Sequence, residues 1–120
     1  MAVTGGRGRL ASLIADAFSA PSYDLRLFSR TAGRGFAPLA SLARPETLAE
    51  TDVILHLAWS TLPATSEKAP GTEAAHDLPL LESLLATLAA TPGADRRHFV
   101  FFSSGGTVYG NAPGRPNVED

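Results

Sequence analysis

The segment Thr4-Gly5-Gly6-Arg7-Gly8-Arg9-Leu10-Ala11, almost at the first residue, limits the fold more than any other stretch. A short apolar lead, Met1-Ala2-Val3, runs into it, and an amphipathic run over 10–18 leads out. Strand, glycine turn and helix in that order present backbone N–H groups at a helix N-terminus, an arrangement that holds a pyrophosphate. Gly5 permits the tight turn, and Gly8 lets backbone approach a phosphate with no Cβ in the way. Ala11 stands where a third glycine often allows close helix–strand packing, and alanine is the next-smallest choice. Glycines also mark ordinary turns. Context carries the reading: a strand before, a helix after, both inside one βαβ-sized unit. The segment therefore implies a bound nucleotide, with Gly5, Gly6, Arg7, Gly8, Arg9 and Leu10 as candidate contacts.

The rest of the chain alternates between strand and helix periods. Leu10, Leu13, Ile14, Ala17 and Phe18 share one helical face, and Pro21 follows the helix end. Leu25-Arg26-Leu27-Phe28 reads as a second strand. Residues 31–44 carry no clear period, and 45–50 form a short helix with Pro45 in its first turn. Residues 52–58 are a mostly apolar third strand, the pattern of a strand buried on both faces of a parallel sheet. Leucines at 78, 81, 84, 85 and 88 give a helix over 78–90, stopped by Pro92-Gly93. Asp77 is read as its N-cap. His98-Phe99-Val100-Phe101-Phe102 is the fourth strand.

Strands separated by helices imply right-handed crossovers and an α/β fold: an open parallel sheet of Rossmann type with helices on both faces. The expected strand order is 3-2-1-4, ending after the fourth strand, with ligand at the carboxyl ends near the switch between the first and fourth. The glycine turn, the end of the 52–58 strand and the end of the 98–102 strand should converge there. The 120 residues read as one domain.

Composition excludes several functions. The net charge of -2 gives no electrostatic case for nucleic acid or an anionic membrane. No apolar run reaches the roughly 18 residues of a membrane span, and no signal pattern precedes the first strand. A cytoplasmic location is the expectation. With no cysteine there is no disulfide and no thiolate metal site. His76 and His98 lack partners at metal-ligand spacing, so no metal is expected. His56, inside a strand, reads as a satisfied core histidine.

Three segments together carry a resemblance: the glycine turn, Asp52-Val53-Ile54-Leu55-His56-Leu57-Ala58, and Phe102-Ser103-Ser104-Gly105-Gly106-Thr107-Val108-Tyr109-Gly110. In this order they resemble the successive motifs of the extended short-chain dehydrogenase/reductases, within them the NAD-dependent epimerase/dehydratase branch that includes UDP-galactose 4-epimerase. The resemblance runs along essentially the whole chain. It implies a nicotinamide cofactor, hydride transfer and a nucleotide-sugar substrate. It adds Leu57, Ala58, Trp59, Thr61 and Ser103 to the cofactor side. Trp59 stands where the family often has a small residue and either walls the nicotinamide pocket or covers the sheet end.

The family's acid/base set is a Ser or Thr after the fourth strand plus a Tyr-x-x-x-Lys pair. An unperturbed Tyr titrates near ~10, so a nearby cation is needed for base chemistry at neutral pH. This sequence has two tyrosines, Tyr23 and Tyr109, followed four residues later by Leu27 and Pro113, and its one lysine is Lys68. No Tyr-x-x-x-Lys occurs. Gly105 falls at the usual Ser/Thr position, leaving Ser104 and Thr107 as the candidate catalytic hydroxyls. The short hydroxyls at the strand end equally suit backbone capping. The expectation is an N-terminal portion of a longer enzyme, its substrate-binding part absent. The unpaired edge strand of such a portion favours self-association, as in a homodimer.

Cofactor preference is read at the end of the second strand. An acidic residue there favours NAD by accepting from the ribose hydroxyls. Ser29 holds that position here, and Arg30 beside it offers a planar fork to a 2′-phosphate. NADP is favoured over NAD on that ground. A non-catalytic, redox-sensing NAD(P)-binding module is the alternative function, and a structural domain with a degenerate site is the third.

Overall fold

The computed structural model describes residues 1–60 and 68–102. Five parallel strands form one sheet: β1 (Ala2–Thr4), β2 (Arg26–Ser29), β3 (Ala37–Pro38), β4 (Val53–His56) and β5 (His98–Phe101). The sheet reads β3-β2-β1-β4-β5. The order 3-2-1-4 therefore holds, with a fifth strand added. The third place belongs to a two-residue strand within 31–44, a stretch too short to show a period. The segment read from sequence as the third strand is β4, and the one read as the fourth is β5. A strand of two residues forms because its neighbour is already in place: Ala37 and Pro38 pair with Phe28 and Ser29.

Among the described residues three α-helices accompany the sheet: α1 (Arg9–Ala17), α2 (Pro45–Ala49) and α3 (Thr72–Ala90). Pro45 sits at the start of α2, where its missing N–H costs nothing. Helix α3 begins six residues earlier than the leucine spacing suggests, and Pro79 lies inside it. The proline removes one backbone bond yet is tolerated within the helix. None of the described helices is long and apolar enough to cross a membrane.

The core lies on one face of the sheet. Ala2, Phe28 and Ile54 project there from β1, β2 and β4, against Leu39, Leu42, Leu48 of α2, and Leu84 and Leu88 of α3. Each of the leucine, isoleucine and phenylalanine side chains contributes about 1.5–3 kcal/mol by leaving water. The chain leaves β1 toward β2 on one side, while β4 and β5 extend on the other. Right-handed crossovers running in opposite directions put α1 on the face opposite α3. On α1 the buried residue is Ala11, whereas Leu10 and Leu13 are 47% and 58% exposed. The apolar stripe assigned to that helix thus faces outward at two positions. The small side chain, not the leucines, makes the close approach to the sheet.

Candidate functional site

The site is built at the carboxyl ends of β1, β4 and β5, on either side of the point where the chain reverses direction across the sheet. Gly5 has φ +69°, a left-handed conformation that favours glycine. A Cβ on Gly5 would lie 2.9 Å from the Leu57 carbonyl oxygen. The glycine thus lets the turn and the exit of β4 close against each other. Gly6 is buried, and its N–H donates to the Phe28 carbonyl at 2.9 Å, which ties the turn to β2. The Gly8 N–H donates to the Gly5 carbonyl at 2.7 Å and completes the turn. A Cβ on Gly8 would meet only that carbonyl, at 3.1 Å, so this glycine borders open space. Gly8 is the N-cap of α1; no side chain caps the helix and no acidic residue occupies its first turn. The leading N–H groups of a helix lack intrahelical partners and, with the helix dipole, favour an anion.

The exit of β4 is held by side chains. Leu57 N–H and Ala58 N–H both donate to Thr4 Oγ1, at 3.0 and 3.0 Å. With both lone pairs used, the Thr4 hydroxyl proton goes to His56 Nδ1 at 3.2 Å. His56 is therefore neutral, with its proton on Nε2. It is 3% exposed and stacks against Phe99 and Phe101, at ring-centroid distances of 5.8 and 6.0 Å. Burial pushes its pKa below 6.5, and the nearby Asp77 carboxylate opposes that shift. One step further, Ser60 N–H lies 3.1 Å from each Asp77 oxygen, and Ser60 Oγ donates to Oδ2 at 2.6 Å. Asp77 lies within α3 and binds Ser60, so the N-cap reading is corrected: Gly71 is the N-cap. The helix had already begun, which frees the aspartate for a tertiary contact.

These segments line a cleft of about 260 Å³. Its walls include Gly5, Gly8, Arg9, Leu10, Leu57, Ala58 and Trp59, all candidates from the sequence, joined by Ala11, His56, Phe101 and Phe102. Trp59 is 41% exposed and meets Phe101 edge-on at 5.9 Å. The indole lines the cleft and packs on the end of β5. A second cavity, of about 570 Å³, lies at the opposite end of the strands, beside Met1, Phe18, Tyr23 and Asp52. It is larger but distant from the glycine turn.

Ser29, Arg30 and Arg7 stand apart from the cleft. Ser29 is buried at the end of β2, beside Pro38, and Arg30 is exposed. Arg7 reaches the same end of the sheet. Its Nε and Nη2 donate to the Thr31 carbonyl at 3.4 and 3.4 Å, and its guanidinium lies 4.5 Å from the Phe36 ring centroid. Thr61, Ser103, Ser104 and Thr107 fall outside the described residues, as does Tyr109. The hydroxyl role of Thr4 and the bond between Asp77 and Ser60 were not read from the sequence. The available signal was polar side chains in apolar surroundings: a threonine closing an apolar strand, and an aspartate in register with the leucines of α3.

The glycine turn, the uncapped helix and the open cleft suit a dinucleotide: Gly8 leaves room for a phosphate, and α1 offers it N–H groups. Comparison with known proteins agrees. The chain resembles a crystal structure of a short-chain dehydrogenase/reductase superfamily protein from Agrobacterium tumefaciens with bound NAD, at 28% identity and a TM-score of 0.54. That match covers 95% of this chain and 35% of the other, so the 120 residues span about a third of that relative. No curated protein matches the chain by sequence. The model of the NAD dependent epimerase/dehydratase family matches residues 1–120, and with the site geometry above this establishes that the chain belongs to that family.

Proposed function

We propose that the chain is the NAD(P)-binding portion of an epimerase, dehydratase or reductase acting on a nucleotide-sugar. The observation that carries the reading is the meeting of the glycine turn and the β4 and β5 exits on one cleft. The cofactor supplies reversible hydride acceptance when bound. The protein's own part is to bind and orient. The first turn of α1 and Gly8 offer N–H groups to the pyrophosphate, and Arg9 adds positive charge at the cleft. Leu57, Ala58, Trp59 and Phe101 supply the apolar wall that keeps water from the reacting end. The acid/base pair of such an enzyme is not in this sequence, where no tyrosine is followed by lysine four residues later. A full-length protein that binds cofactor without turnover would instead support the redox-sensing module.

For the cofactor itself the reading favours NADP. Ser29 leaves no carboxylate to accept from the adenosine ribose, and Arg30 and Arg7 bring positive charge to the end of β2. Side-by-side titration with NADPH and NADH, read by energy transfer from the single tryptophan, Trp59, tests both levels. NADPH binding tighter than NADH, with the difference lost in Arg30→Ala, supports the preference. Tighter NADH overturns the preference and keeps the cofactor domain. Binding of neither overturns the proposal.

A further inference from the structure

One charged residue occupies a packing stripe. Along α3 the residues turned toward the sheet include Asp77, Leu80, Leu84, Leu88 and Thr91 just past its end, spaced three, four, four and three apart. Leu84 and Leu88 belong to the core. Asp77 sits one turn before Leu80 and gives both oxygens to Ser60. A partly buried carboxylate on such a stripe is costly unless its bonds are made, so the contact it makes is informative.

That contact completes a pattern. β4 ends at His56, and beyond it the N–H groups of Leu57, Ala58 and Ser60 are taken by side chains: two by Thr4, one by Asp77. Trp59 lies between the two anchors. We infer that Asp77 is a positioning residue for the cleft: its latch on Ser60 holds the Trp59 indole edge-on to Phe101. The indole then narrows the cleft where the cofactor's reacting end and its substrate would meet. The ligand in this statement rests on the proposed cofactor binding; the latch itself does not. An asparagine at this position keeps one acceptor oxygen for the Ser60 N–H and replaces the other with a donor, so it holds the segment less firmly.

The test uses the whole 120-residue chain and its one tryptophan. Asp77→Ala, Asp77→Asn and Ser60→Ala are compared with the parent by Trp59 emission, anisotropy and far-UV circular dichroism. The expected result is red-shifted emission and lowered anisotropy in Asp77→Ala, smaller changes in Asp77→Asn and Ser60→Ala, and an unchanged backbone spectrum. Affinity for whichever of NADPH and NADH the parent binds more tightly should fall about tenfold in Asp77→Ala, with Asp77→Asn recovering part of it. Emission and anisotropy equal to the parent in folded Asp77→Ala would overturn the inference. Should Asp77→Ala not fold, Ser60→Ala decides alone: shifted emission supports the latch, unshifted emission overturns it. A parent that binds neither NADPH nor NADH refutes the cofactor reading, while the fluorescence comparison still decides the latch.

Discussion

Replacing Thr4 with valine isolates the hydroxyl at the centre of the site. The two side chains have nearly the same shape, so packing around this fully buried position is kept. Three hydrogen bonds are lost together: those from Leu57 N–H and Ala58 N–H, and the one to His56 Nδ1. Leaving a buried donor or acceptor unpaired costs about 1–3 kcal/mol each. Leu57 and Ala58 are only half-buried, so water recovers part of their share. We expect a loss of about 2–4 kcal/mol, toward the lower end if water reaches both N–H groups. In a chain whose total stability is of order 5–15 kcal/mol that loss is large.

Urea unfolding of the parent, Thr4→Val and Thr4→Ser measures it. Serine keeps the hydroxyl and loses only a methyl, so it should recover most of the difference. Hydrogen exchange adds a local reading: the amide protons of Leu57 and Ala58 should lose protection in Thr4→Val beyond the global change. A Thr4→Val loss below about 0.5 kcal/mol, within the range of ordinary surface substitutions, would refute the bonding scheme. So would a serine variant as unstable as the valine one, because then the methyl and not the hydroxyl matters.

Other predictions follow from the same geometry. Gly5→Ala and Gly8→Ala should separate fold from binding. Alanine at Gly5 meets the Leu57 carbonyl at 2.9 Å in a left-handed conformation, and should lower the melting temperature by several degrees. At Gly8, φ is -77° and the one neighbour is the Gly5 oxygen, so alanine should fold and weaken NADH binding, read by calorimetry. For His56, the native pKa lies below the unfolded value of 6.5, so folding favours the neutral ring. Its contribution is full above pH 6.5 and is lost as pH falls through the lowered native value. The urea midpoint should therefore fall with acid over that window, less so in His56→Gln. Removing the opposing charge with Asp77→Asn should deepen the depression and steepen the fall. The Arg26–Glu50 pair, at 3.4 Å with Glu50 largely exposed, should contribute little: Glu50→Gln should change stability by less than about 0.5 kcal/mol.

How much of this was legible in the sequence depended on whether a residue's role is set by its neighbours in the chain or across the sheet. The glycine turn was legible because turn chemistry is local: Gly5 needs its φ and Gly8 its open side wherever they occur. The strands 52–58 and 98–102 showed themselves by apolar runs, and their exits reach the expected cleft. β3 was not legible, since two residues make a strand only through pairing with β2. The outward leucines of α1 misled for a related reason: periodicity reports that a helix is amphipathic, while sheet contact selected Ala11. The first turns of α3, residues 72–77, carry no leucine, so the leucine spacing did not reveal them.

The polar residues that build the site share one physical feature that composition conceals. Thr4, His56 and Asp77 each replace an apolar side chain on an inward-facing position; Thr4 and Asp77 are satisfied by the segment beyond β4, and His56 by Thr4. A parallel sheet must stop its ladder where a ligand is to enter, and that stop exposes N–H groups which the next strand no longer takes. Side chains can take them only from the neighbouring elements, here the end of β1 and the packing face of α3. The polar interruptions are thus the counterpart of the open cleft. Filling those positions with valine or leucine would favour a tighter core and leave the β4 exit without the bonds that shape it.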